Sequence, residues 1–165
     1  MKHILSVLVN DQPRVLARVS SLLGQRNFNI ESISVGGSEE PGLSRMVIVT
    51  YADDRTMEQV SKQLHKLIDV IKIQDLAFDE SVVRELLLVK VGANSSNRAE
   101  INSIVEPFRA SIVDVGANSM MVQATGDRAK LDSLLELLRP YGIKEVARTG
   151  VTALPRSSAR SKAMV

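Results

Sequence analysis

Apolar positions along the chain follow strand and helix periods in an order that occurs twice. Residues 2–9, KHILSVLV, read as a strand that is apolar on both faces, and PRVLARVSSLLGQR (13–26) follows with Val15, Leu16, Val19, Leu22 and Leu23 at helical spacing. NIESISVGG predicts a second strand ended by paired glycines, and LSRMVIVTYA a third, rich in β-branched residues. DRTMEQVSKQLHKLI places Met57, Val60, Leu64, Leu67 and Ile68 on one helical stripe, and VIKIQDL closes a β-α-β-β-α-β order.

After the joint AFDESV the order returns. VRELLLVKV predicts a strand, NRAEINSIVEPFR a helix, ASIVDVG and SMMVQATG a hairpin, DRAKLDSLLELLR a second helix and IKEVARTG a last strand. The expectation is an α+β chain of two tandem ferredoxin-like domains, 1–77 and 83–154, then a flexible tail, 155–165. Helices would cover one face of each sheet, so the other face should be polar if it met water. In HILSVLV and MVIVTY it is apolar, which predicts that the other domain, a second copy or a different protein packs there.

Composition narrows the chemistry. Hydrophobic residues make up 44% of 165, enough for real cores, but aromatics are only 3%, so platforms for stacking bases are lacking. RNA-recognition domains share the β-α-β-β-α-β order, yet ILSVLV and SRMVIV carry no aromatic residue, which argues against that function. The net charge of +2 comes from the end of the chain: PRSSARSKAMV holds three cations and no acid, and the rest has 18 cations against 19 acids. Nucleic acid is therefore not indicated as a partner. There is no Cys, no secretory signal and no apolar run near the roughly 20 residues that span a bilayer. A soluble, cytoplasmic protein without membrane association is expected.

Catalytic equipment is sparse. The two histidines, His3 and His65, lie in no motif, and His65 reads as a surface residue beside the apolar stripe. No H-x-x-x-H, no calcium loop and no glycine-rich nucleotide fingerprint occurs, and VGGSEEPG reads as a hairpin turn. The expectation is no catalytic residue, no metal and no cofactor in this chain.

The junction NDQPRVLARV is the exception. A helix start leaves backbone N–H groups unpaired and carries the positive end of the dipole, which suits a carboxylate. With Pro13 near the first helical position, the free donors would be those of Arg14, Val15 and Leu16, and Asp11 could accept from an ammonium group. That is a receptor for a free amino acid. The alternative is that Asp11 or Gln12 caps the helix and nothing binds.

HILSVLVNDQPRVLARV, RNFNIESISVG, LSRMVIV, QLHKLIDVIKIQDL, VRELLLVKV, IVDVG and GIKEVARTGVTAL resemble, in order and over nearly the whole chain, the regulatory small subunits of acetohydroxyacid synthase, or acetolactate synthase. The resemblance implies that residues 1–77 form an ACT domain, a sensor of amino acids, followed by the family's own C-terminal domain. It implies a non-catalytic homodimer that activates a catalytic large subunit and confers feedback inhibition by valine or a related branched-chain amino acid. Thiamine diphosphate, Mg and FAD would belong to that large subunit. It also implies an effector site between two chains, with Asp11, Pro13, Arg14, Val15 and Leu16 from one and Asn29 and Ile30 from the other. A stand-alone sensor controlling transcription or another enzyme, and a dimerisation module without effector, are the other readings.

Two positions depart from the family pattern, which usually has Asn at Asp11 and Gly at Arg14. Either oxygen accepts from an ammonium, so the first change is small. A long side chain in place of glycine leaves three outcomes open: Arg14 points into solvent, reaches the carboxylate, or blocks the site.

Overall fold

The structure, a computed structural model, describes residues 1–25, 28–76 and 80–158. Arg26 of the first expected helix, joint residues 77–79 and tail residues 159–165 lie outside the described residues. The chain divides into two compact units, Met1–Val83 with the segment from Val151 onward, and Arg84–Gly150.

In the first unit, β1 (Lys2–Asn10), α1 (Val15–Gln25), β2 (Ile30–Gly37), β3 (Leu43–Tyr51), α2 (Asp54–Leu64) and β4 (Val70–Asp75) follow the expected order. The antiparallel sheet runs β2-β3-β1-β4, which leaves β2 and β4 as its two edges. The second unit repeats the plan with β5 (Ser81–Gly92), α3 (Arg98–Val105), β6 (Ser111–Val115), β7 (Ser119–Gly126), α4 (Arg128–Leu138) and β8 (Ile143–Arg148), in the order β6-β7-β5-β8. A ninth strand, β9 (Thr152–Pro155), pairs with β5. The α+β class and the two ferredoxin-like units agree with the sequence reading. Helix α3 stops earlier than expected and passes into a short 3₁₀ turn, Glu106–Phe108, because Pro107 has no N–H to continue the ladder.

Alternation along the strands builds each core. Leu5, Val7 and Val9 of β1, Met46 and Ile48 of β3 and Ile73 of β4 meet Val15, Val19, Leu23, Met57, Val60 and Leu64 from the two helices, all buried. A bulge at Glu31, where Ile30 opposes Thr50 and Ser32 opposes Val49, lets Ile30 and Ile33 both pack on this face. In the second unit Leu87, Val89, Val91, Met120 and Val122 meet Ile101, Val105, Leu131, Leu134 and Leu138 in the same way. Each such side chain contributes about 1.5–3 kcal/mol by leaving water.

The second face of the first sheet carries Ile4, Val47 and Val49, and it is covered by Leu76, Val83, Val151 and Ala153. The cover comes from the chain's own return: Val83, Val151 and Ala153 lie in the stretch 83–154 assigned from sequence to the other domain, so of the three expected covers it is that one. Two serines of β2 fasten it: Ser34 Oγ donates to the Val151 carbonyl at 2.8 Å, and the Val151 N–H donates to Ser32 Oγ at 3.4 Å. The Arg156 N–H closes the strap on the Glu80 carbonyl at 2.8 Å.

Candidate functional site

The loop between β1 and α1 is held by backbone bonds on both sides. The Asn10 N–H donates to the Asp69 carbonyl and the Asp11 N–H to the Gly42 carbonyl, each at 2.8 Å. Helix α1 begins at Val15, not at Pro13 as the sequence reading had it. Gln12, Pro13, Arg14 and Val15 instead have the signature of a type II turn: proline second, a positive φ of 72° at Arg14 third, and a long Val15 N–H to Gln12 carbonyl bond of 3.4 Å. The Arg14 carbonyl then accepts from the Arg18 N–H at 2.9 Å, so Arg14 is the residue that enters the helix.

This turn changes the donor set. Val15 spends its N–H within the turn and buries its side chain in the core. Among the described residues, no protein acceptor takes the N–H groups of Arg14, Leu16 or Ala17, and neither Asp11 nor Gln12 caps the helix through its side chain. With neither side chain capping the helix, Ala17 joins the free donors in place of Val15. Sequence reasoning missed Ala17 because it placed the helix start too early.

The turn also accounts for the glycine that the family resemblance leads one to expect at position 14. A left-handed residue at the third place of a type II turn is the conformation that glycine adopts without steric cost. Close approach of a ligand is not needed to explain it. Arg14 is exposed and, with Ala17, Arg18, Ser21, Leu22 and Gln25 of α1 and with Leu67, lines an open groove of about 690 Å³. Arg18 is committed elsewhere, to Asp69 at 2.7 Å.

Asp11, Pro13, Arg14 and Leu16 lie together and exposed at this end of the sheet, with Leu16 45% accessible. Asn29 and Ile30 do not. Ile30 opposes Thr50, and the Asn29 carbonyl accepts from Thr50 Oγ1 at 2.9 Å, whereas Asn10, next to Asp11, opposes Leu43. Leu43 and Thr50 are the two ends of a β3 segment that spans roughly 23 Å at the rise of a strand. Within one chain the two halves of the expected site are at opposite ends of the sheet. Asn29 is exposed and Ile30 half-buried at the start of edge strand β2, where a second chain has access.

A second polar cluster had no signature in the sequence. His3 of β1 is buried, its Nδ1 2.7 Å from Asp75 Oδ2 and its Nε2 3.9 Å from Asp54 Oδ1, with Nε2 lacking a hydrogen-bond partner. Sequence distance hid this arrangement, because the three residues come from β1, α2 and β4. His65, by contrast, is exposed at the end of α2, as expected. Among the described residues no group of three or more His, Cys, Asp or Glu side chains is placed to hold a metal ion, and no helix is long and apolar enough to cross a membrane.

Comparisons with known proteins match the chain in two stretches, the second of which begins with the second unit at Arg84 and runs past its end at Gly150. Residues 5–72 match a family model described as an acetohydroxyacid synthase small subunit-like ACT domain, and residues 84–157 match one described as the small subunit of acetolactate synthase. The acetolactate synthase small subunit of Mycolicibacterium smegmatis is 51% identical over 154 residues, 93% of this chain and 91% of that protein. The one from Bacillus subtilis is 48% identical over 159 residues, 96% and 92% of the two chains. The crystal structure of the acetolactate synthase small subunit from Thermotoga maritima superposes with a TM-score of 0.91 at 40% identity, covering 96% of this chain and 99% of that one.

Proposed function

The chain belongs to the acetolactate synthase small-subunit family, and from that premise we propose that it is a non-catalytic regulatory subunit, activating a catalytic large subunit and making it sensitive to valine or another branched-chain amino acid. The first unit is the effector-binding and dimerising ACT domain. Thiamine diphosphate, Mg and FAD belong to the large subunit, and the assembly works in the cytoplasm.

The observation that carries this reading is the separation within one chain of two half-sites, one with unused backbone donors and the other on an open sheet edge. Two copies paired through β2 bring the helix start of one against Asn29 of the other. The effector carboxylate then takes the free N–H groups of Leu16 and Ala17 and the positive end of α1. Asp11 accepts from the ammonium group, the Asn29 amide hydrogen-bonds the ligand across the dimer, and Leu16 with Ile30 forms apolar walls for a branched side chain. Arg14 points away along the outer side of α1 in this arrangement, and its charge adds to the field that favours the carboxylate.

Effector binding shifts how well the dimer holds the active form of its partner, a coupling on the order of 1–3 kcal/mol. The test is to mix the purified chain with its large subunit and measure acetolactate formation with and without valine, leucine and isoleucine. Activation on mixing, reversed by one of the three, is the expected result. Unchanged activity on mixing removes the activating role, and activity indifferent to all three removes the effector site.

A further inference from the structure

The turn from α2 into β4 exposes more apolar surface than its neighbours require. The Val70 N–H donates to the Leu67 carbonyl at 3.1 Å, closing a tight turn with Ile68 and Asp69 at its tip. Leu67 packs on the core, but Ile68 is 88% exposed and Ile71, at the bulge where β4 meets β1, is 52% exposed. Lys66 and Lys72 flank them, both exposed. The tip is tied at Asp69, whose carbonyl accepts from the Asn10 N–H and whose carboxylate, 14% exposed, accepts from Arg18 of α1. A single exposed isoleucine needs no explanation, whereas two on one pinned turn between cations form a preordered knob.

The sheet order restricts what covers this knob. The helix face and the strap face of the first sheet are both filled by the chain itself. A second copy paired on β2 lies at the opposite edge, with β3 and β1 between, so the β4 edge remains outside that contact. We propose that this turn is where the first unit docks on the catalytic subunit, with Ile68 and Ile71 seated in an apolar socket and carboxylates on the rim facing Lys66 and Lys72. The inference rests on the reading above that the chain pairs with such a subunit. It also puts the docking point one hydrogen bond from the effector loop, through Asn10 and Asp69, so that loop rearrangement and docking share a rigid link.

The experiment compares the full-length chain with I68E and I71E for binding to the catalytic subunit of the same organism, by biolayer interferometry. Thermal melts and sedimentation run alongside. Both variants are expected to bind at least about tenfold more weakly, with melting temperature and homodimer mass unchanged. Binding within about twofold of the unmodified chain overturns the docking point and leaves the subunit reading intact. Loss of the homodimer in either variant also overturns it, by assigning the knob to a second copy. Failure of the unmodified chain to bind overturns both.

Discussion

Arg14 holds a backbone conformation that costs an L-residue about 1–2 kcal/mol, because Cβ crowds the following carbonyl. Glycine escapes that clash but loses more chain entropy on folding, which offsets part of the gain. R14G is therefore expected to raise stability by about 0.5–1 kcal/mol in urea unfolding. In the proposed site the donors are backbone groups of Leu16 and Ala17 rather than the guanidinium, so the same variant should still bind a branched-chain amino acid. Loss of binding in R14G by calorimetry contradicts the outward placement of Arg14. The resemblance marks position 14 as a departure from an expected glycine, but an arginine gives no local sign of a positive φ. Only the turn geometry gives a reason for the glycine expected there. His3 is similar: its partners Asp54 and Asp75 are remote in sequence, so no motif could reveal them.

At the scale of elements, strand and helix periods were legible almost throughout, because alternating and helical apolar spacing report directly on which face is buried. The ends were less so. Pro13 looked like a helix start because proline suits that place, but it serves equally well as the second residue of a type II turn. The short strand β9 is not expected from the sequence, which makes IKEVARTG the last strand and divides 152–155 between the close of the second domain and the tail. It follows Val151, which is fastened to β2, more than a hundred residues away in sequence, by contacts that no local pattern encodes. S34A removes the hydroxyl that donates to the Val151 carbonyl and is expected to cost about 0.5–1.5 kcal/mol, measured by chemical denaturation. No change in stability contradicts a fastened strap. Asp53 caps α2 by accepting from the Thr56 N–H at 2.7 Å, and these hydrogen bonds to Thr56 hold its carboxyl below the usual range. A depressed folded value means that this stabilisation is complete above the unfolded value, about 4, and is lost as pH falls through the folded one. D53N keeps a capping oxygen without the titration, so its melting temperature should fall less steeply than that of the unmodified chain below about pH 4. Parallel acid limbs for the two proteins contradict this role of Asp53.

For the whole molecule, the repeated β-α-β-β-α-β order identified two units, and apolar residues on both faces of the first sheet correctly signalled a second covered face. What covers it was not legible, since a chain that leaves for another unit and returns looks the same in sequence as one that meets a partner. The proposed effector site is incomplete in one chain for the same topological reason: α1 carries the backbone from one end of the sheet to the other before β2 begins. The central claim is that two chains share each site, and mixing two defective variants tests it most directly. L16D spoils the helix-start half and N29A the β2 half, both at surface-accessible positions. A two-fold dimer of one of each contains one intact site, so random mixing should restore valine binding to about a quarter of the unmodified capacity while each variant alone binds none. Calorimetric titration of the mixture reads this number, and a mixture as inert as its components contradicts a site shared between chains.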